Sequence, residues 1–395
     1  MDDKHTWLAV IAGGKGTRLF PISNPDKPKQ FCQLDSKNTF IQAAIDNFTG
    51  LGIKPNHIVV ITTSDSQTEW AKSQVMSRGV LSQDIYQIAP DWGYPGAMYQ
   101  ATKFISKLDP EAKVICTPSD QYLESSDDDF EYAIKIALKE AENDFPVLIG
   151  VKVNDLVTAM GCGHAIYEDS DRGCYTVTEF IEKPNEYMAD KIMRRDDTAC
   201  NIGITVWKAS TVLNNINEAE VRGMNTDEFF AKFNKCKIAV GAFTWRDCGT
   251  FKSLYEISAK TPHHKNASLG DGTFERIRCR RSLLYATDGM DLSVSDAEDD
   301  AIIFTTIDDK PIVVVAKLSD SQSIKELAED YAKHEKFLKK DFSFGARNNS
   351  VLSSNISDEL IVGFVGVKNY AVYVRKRQNG RLEAAVSKQL AHDER

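Results

Sequence analysis

No stretch of this chain is apolar over the roughly 18 to 20 residues that a helix needs to cross a bilayer. The opening MDDKHTW has neither the charged nor the apolar region of a secretory signal. These absences point to a cytoplasmic protein with no membrane partner. An excess of positive charge is also missing: 48 Lys and Arg face 57 Asp and Glu, a formal net charge of −9, which argues against broad contact with nucleic acid. Any phosphate it binds must be held locally. The eight cysteines, at 32, 116, 162, 174, 200, 236, 248 and 279, form no C-x-x-C pair, so neither a zinc ribbon nor a thioredoxin motif is present. Most lie in apolar segments such as KVICTP, and reduced core residues are the expectation. The histidines fall in no catalytic pattern, and the pair His263 and His264 stands in TPHHKNAS, which reads as a solvated linker.

What the chain does have is alternation. Over the first 260 residues short apolar runs recur at Trp7 to Ala12, His57 to Thr62, Ile85 to Ala89, Val114 to Thr117, Val147 to Val151, Tyr175 to Ile181, Ile202 to Trp207 and Ile238 to Thr244. Between them, Thr39 to Phe48, Gly96 to Lys107, Asp128 to Glu142, Thr226 to Lys235 and Thr250 to Ser258 space their apolar residues as helices do. This predicts an α/β domain over 1–260, its mostly parallel sheet covered by helices on both faces. From about residue 261 the texture becomes β-rich, with SLLYATDG, AIIFTTI and PIVVVAKL, one helical stretch over Ser321 to Lys339, and an Asn379-Gly380 turn of the kind that closes hairpins. Residues 261–395 are therefore expected to form a second, smaller β domain. No strict internal repeat stands out, though an irregular β-solenoid fits the texture.

The chemistry begins where the first strand ends. Gly13, Gly14 and Gly16 lack a Cβ at the point of closest approach, so backbone N–H groups there can wrap an anionic group. The string is not a P-loop, because Gly16 rather than Ser or Thr follows Lys15, and not a dinucleotide fingerprint, because Leu19 stands where a third Gly is wanted. Its distinguishing feature is the cations that follow. Arg18 offers a planar fork for phosphate oxygens, and Lys29 offers a point charge on a segment stiffened by Pro21, Pro25 and Pro28.

The whole string, G-G-x-G-T-R-L-x-P-x-S followed by K-P-K-Q-F, resembles the signature of the sugar-1-phosphate nucleotidyltransferases, and within them most the mannose-1-phosphate guanylyltransferases. The resemblance runs in chain order to about residue 260. It implies a Rossmann-like fold of the nucleotide-diphospho-sugar transferase type, with Gly13, Gly14, Gly16, Thr17 and Arg18 binding nucleotide and Arg18 and Lys29 stabilising the triphosphate. Asp120 in CTPSDQYL resembles the aspartate of a P-S-D-H segment, with Gln121 in place of the histidine, and Asp247 in FTWRDCGT resembles the aspartate of W-x-D-x-G-T/S. These two carboxylates would hold Mg²⁺. On the sugar side, AMGCGHAIY corresponds to a G-Y-G-Y-type turn at Gly161 and Gly163, TEFIEKPN to F-x-E-K-P, and CNIGITVW to N-S/A-G-I/M-F. Glu182 and Asn201 would then grip sugar hydroxyls, and Lys183 the sugar phosphate. One segment departs: IAPDWGYPGAMYQA stands where guanylyl enzymes carry R-N-T-x-P, which leaves Asp91 to Gly96 unmapped and the base open among GTP, UTP, dTTP and CTP.

The resemblance implies an enzyme that joins a nucleoside triphosphate to a sugar-1-phosphate and releases pyrophosphate, with GDP-mannose the closest product. The other reading is a catalytically silent homologue that senses the nucleotide sugar. Many such relatives append a left-handed β-helix or an isomerase domain. The β-rich text favours a β-helix-like unit with an oligomerising or regulatory role, and a homodimer is the expected assembly.

Overall fold

The computed structural model describes residues 4–14, 16–24, 27–33, 38–123, 128–168, 173–287, 289–334, 342–344, 349–354 and 360–389. The chain divides into two compact units, one made of residues 1–13 and 40–247, the other of 14–39 and 248–395. The division thus falls nearer 248 than 260, and the segment after the first strand groups with the C-terminal half.

The first unit is built on a nine-stranded sheet. Its strands are β1 (Thr6–Ile11), β2 (Ile58–Thr62), β3 (Ile85–Gln87), β4 (Lys113–Pro118), β6 (Val147–Val151), β7 (Gly163–Glu168), β8 (Cys174–Ile181), β9 (Thr198–Lys208) and β10 (Lys237–Gly241); β5 (Gln121–Leu123) and β11 (Trp245–Asp247) form a separate ribbon. Spatial order is β3-β2-β1-β4-β9-β6-β10-β8-β7. The β3-β2-β1-β4 half is parallel and its inner strands are buried on both faces, which is why TWLAVI and IVVIT read as unbroken apolar runs. The other half corrects the expectation of a mostly parallel sheet: β9 is antiparallel to β4 and β6, and β7 and β8 are antiparallel to each other. Alternation of strands and helices does not reveal that reversal, because β9 follows a helix as any parallel strand would. Strands β5, β7 and β11 were not foreseen. Neither was the helix Asp65–Val75, whose buried face is only Gln67, Ala71 and Val75 and whose start is fixed by Ser64 accepting from the Gln67 N–H.

In the second unit, β12 (Ala267–Leu269), β14 (Leu283–Ala286), β16 (Asp300–Ile307), β17 (Lys310–Lys317), β20 (Ile361–Val365) and β18 (Phe342–Phe344) form one sheet. A second contains β13 (Thr273–Ile277), β15 (Met290–Ser295), β22 (Leu382–Lys388), β21 (Tyr370–Lys376) and β19 (Ser350–Ser354). Their facing residues, among them Phe304, Val315 and Val362 against Leu292, Val374 and Val386, make one core. Part of this unit is a parallel coil, with strands stacked 16 residues apart at β12–β14 and 18 apart at β13–β15 and β14–β16. Thr273 lies opposite Asp291, Leu283 opposite Ala301, and the ion pairs Arg278–Asp296 and Arg281–Asp299 join residues 18 apart. What recurs is a position in a parallel coil, while the residue types differ. The Asn379-Gly380 turn does join an antiparallel hairpin, β21 to β22, with Gly380 in the left-handed region. The expected helix runs Ser321–His334 and buries Ile324, Leu327 and Tyr331; Leu338 lies outside the described residues. No helix among the described residues is long and apolar enough to cross a membrane.

Candidate active site

Strand β1 ends at the glycine loop. Gly13 belongs to the first unit, where its carbonyl accepts from Thr63 Oγ1 at 3.3 Å and an added Cβ would lie 2.8 Å from Thr63 Cγ2. Gly14, Gly16, Thr17, Arg18 and Lys29 belong to the second unit. Gly16 has φ +64°, a region glycine enters without penalty, and an added Cβ there would collide with the Lys29 side chain. The Ser23 hydroxyl donates to the Gly16 carbonyl, and Leu19 N–H donates to the same oxygen at 3.3 Å. Arg18 is exposed and Lys29 is buried. The short helical turn Thr17–Leu19 packs against the helix Ser321–His334, with Phe20 and Tyr331 rings 5.2 Å apart. The loop's scaffold within this unit is therefore C-terminal sequence.

The two expected metal carboxylates belong to neighbouring segments of one ribbon. In the β5–β11 ribbon Asp247 is paired with Gln121, and Asp120 is the residue just before that partner in the chain. Both candidate side chains offer hard carboxylate oxygens, and no group of three or more His, Cys, Asp or Glu residues able to hold a metal occurs among the described residues. Such a sparse carboxylate set fits Mg²⁺, which keeps water and phosphate oxygens in its shell, better than it fits zinc or calcium.

The expected sugar residues also meet. Gly163 is paired with Asn201 across β7 and β9, and a Cβ on Gly163 would lie 2.6 Å from Glu182 Oε2 and 2.5 Å from Phe180 Cζ. Glu182 and Lys183 follow the end of β8, with Lys183 Nζ 3.4 Å from Glu182 Oε1. Lys183 takes φ +43°, unusual for a residue with a side chain, just before Pro184. The Asn201 side chain accepts from the Gly203 N–H at 3.0 Å, closing a local turn. Gly203, at φ +79°, has no room for a Cβ, which would lie 2.8 Å from Pro118 Cγ. Gly161, by contrast, faces open space.

Three neighbours of these groups had no role assigned from sequence. Gln121 Nε2 donates to the Ile202 carbonyl at 2.7 Å, Trp245 Nε1 donates to Gln121 Oε1 at 3.0 Å, and Tyr94 Oη donates to the Gly203 carbonyl at 2.7 Å. Burial first, then the nearby Cys116 and Asp120, push the Tyr94 hydroxyl well above its ordinary pKa, so it stays a donor. Tyr94 lies in the segment that could not be mapped, and no local pattern marks it. That segment is pinned by Arg222, which pairs with Asp91 at 2.7 Å and lies 5.3 Å above the Trp92 ring. The cysteine expectation needs one correction: Cys162 and Cys200, flanking Gly163 and Asn201, are joined by a disulfide, while the other six are buried thiols. Residues 38 apart in sequence become neighbours only because β7 pairs with β9.

The chain is similar to known proteins over most of its length. Mannose-1-phosphate guanylyltransferase 2 of Escherichia coli O157:H7 is 24% identical over 370 residues, covering 83% of this chain and 74% of that one. Mannose-1-phosphate guanylyltransferase RfbM of Salmonella typhimurium is 25% identical over 364 residues, covering 82% and 72%. The crystal structure of mannose-1-phosphate geranyltransferase from Thermus thermophilus superposes with a TM-score of 0.67 at 20% identity, over 83% of this chain and 99% of that one, and so shares the fold. A family model described as nucleotidyl transferase matches residues 9–264, well over half of the sequence, and the chain belongs to that family.

Proposed function

We propose that the protein transfers a guanylyl group from GTP to mannose-1-phosphate, forming GDP-mannose and releasing pyrophosphate. The observation that supports the reading is the β5–β11 pairing, in which Asp247 lies opposite Gln121, the residue after Asp120, while Gln121 ties that ribbon to the Asn201–Gly203 turn. An oxygen of the sugar phosphate attacks the α-phosphorus, and the bond to the β-phosphate oxygen breaks with its electron pair leaving on pyrophosphate. The nucleophile is already anionic, so no general base is required, in keeping with the lack of a histidine motif. The demand is for charge neutralisation and alignment of the two phosphates. Asp120 and Asp247 would hold Mg²⁺, whose charge, when bound, offsets that of the reacting phosphates. Glu182 and Asn201 accept and donate to sugar hydroxyls, and Gly163 leaves the space that lets Glu182 lie close to β7. Lys183 meets the sugar phosphate, while Arg18 and Lys29 serve the triphosphate.

The names of the two relatives support guanine and mannose, and the departure at Asp91 to Gly96 makes the base the point to test. Pyrophosphate release is measured with Mg²⁺ for GTP, UTP, dTTP, CTP and ATP against mannose-, glucose-, fucose- and heptose-1-phosphates. Release confined to GTP with mannose-1-phosphate supports the proposal. Activity with another pair replaces the substrates and keeps the chemistry, and binding of nucleotide sugar without release from any pair favours a sensor.

A further inference from the structure

Strand β9 carries a bulge at the site. Leu148 lies opposite Thr205 and Gly150 opposite Asn201, so Ile202, Gly203 and Ile204 face Ile149 alone. These three residues also lie outside the registers of β9 with β4 and β7. Carbonyls displaced from a ladder need other donors when buried. Two side chains supply them: Gln121 to Ile202 and Tyr94 to Gly203.

Gln121 does more than fill a gap. Its other amide atom receives the indole N–H of Trp245, two residues before Asp247 on β11. The orientation of the amide is fixed by its partners, since a carbonyl can only accept and an indole N–H can only donate. We propose that Gln121 is a positioning residue that couples its neighbours Asp120, before it in the chain, and Asp247, opposite it in the ladder, to the Asn201–Gly203 turn through this two-sided amide. The inference rests on the proposed assignment of those two groups to metal and sugar. It calls for a side chain that donates at one end and accepts at the other. A glutamate lacks the donor and a leucine lacks both, whereas a neutral histidine, the residue of the related P-S-D-H segment, has one of each.

The test compares four variants with wild type in steady-state pyrophosphate release, with thermal melts as the control for folding. Tyr94→Phe removes support from the turn alone and should raise the KM for sugar-1-phosphate while leaving half-saturation by Mg²⁺ unchanged. Trp245→Phe should do the reverse. Gln121→Leu should move both together, each by roughly tenfold because a buried partner is left unsatisfied on either side, with the KM for nucleoside triphosphate little changed. Gln121→His, assayed at pH 8 to keep the imidazole neutral, should restore both parameters to within about threefold. Should Gln121→Leu fail to fold, Gln121→Glu carries the same test, with the sugar parameter the more affected. The inference is overturned if the Gln121 variants shift only the melting temperature, if all parameters fall uniformly, or if histidine is no better than leucine. A wild type that turns over none of the substrate pairs overturns the functional reading as well, whereas an active wild type with uniform variants overturns the inference alone.

Discussion

Two glycines in one turn offer a matched pair of perturbations. Gly163→Ala places a Cβ 2.5 Å from Phe180 Cζ and 2.6 Å from Glu182 Oε2, whereas Gly161→Ala places one in open space. Neither position has a positive φ, so the contrast is purely one of room. At 163 both neighbours must give way. Phe180 is packed against the core and lies 6.1 Å from Phe230, so moving it resembles overpacking and should cost about 1–3 kcal/mol. The Glu182 carboxylate is the far end of a flexible side chain and will rotate, which removes a charged hydrogen bond to the sugar worth about 1.5–3 kcal/mol, or a rise of roughly 10- to 150-fold in the KM for sugar-1-phosphate. Gly161 ends the helix Leu156–Gly161, where alanine should be neutral to slightly stabilising, within about 1 kcal/mol. Thermal melts give the first quantity and pyrophosphate release against sugar-1-phosphate concentration gives the second. If the two alanine variants behave alike, the assignment of Gly163 and Glu182 to the sugar is refuted.

Three further expectations concern the rest of the molecule. Under non-reducing denaturing conditions a thiol reagent should find six of the eight cysteines, and all eight after reduction; eight at the outset would remove the Cys162–Cys200 link. Tyr331→Ala should raise the KM for nucleoside triphosphate more than that for sugar-1-phosphate, because Tyr331 packs on Phe20 beside the Thr17–Leu19 turn; equal KM shifts would count against that support. Arg377 first, then Arg375, hold the Glu383 carboxyl down at about 2 from an ordinary 4.5. A depressed carboxylate stabilises the fold above its unfolded pKa, so this contribution should be complete above pH 4.5 and fade as pH falls towards 2. Glu383→Gln should flatten that acid limb, and an unchanged limb in urea melts would contradict the pairing. The arginines are half exposed, so added salt should weaken the effect.

How much of this could be read in advance depended on whether a signal was local. Strands β1, β2 and β6 announce themselves because both faces are buried, and their boundaries fall within a residue of those expected. Asp120, Asp247, Glu182 and Asn201 are candidates because they stand in strings that resemble those of the family, in the same order. Which residues lie opposite them, however, is a product of sheet pairing: Asp247 meets Gln121 only through the β5–β11 ribbon, whose three-residue strands leave no periodic trace. The same holds for the disulfide and for Tyr94, whose partner is a carbonyl 109 residues away. The 18-residue coil of the C-terminal unit was hidden for a different reason. Parallel coils constrain inward volume and outward charge pairing, as in Arg278–Asp296 and Arg281–Asp299, and neither requires the same residue at each turn. The grouping of residues 14–39 with residues 248–395 likewise has no sequence signature, since the contacts that create it, such as Phe20 with Tyr331, join the two ends of the chain.

The central claim is that Asp120 and Asp247 act as one cation site in nucleotidyl transfer. The most direct measurement is a Mg²⁺ titration of pyrophosphate release for wild type, Asp120→Asn, Asp247→Asn and the double variant. If both carboxylates grip one ion, each single change should lower turnover by about 2–4 kcal/mol equivalent, roughly 30- to 900-fold, and the double variant should be little worse than either single one, because residues that act as a unit are not additive. Near-normal turnover in either single variant with the fold retained, or losses that multiply in the double variant, would contradict the account.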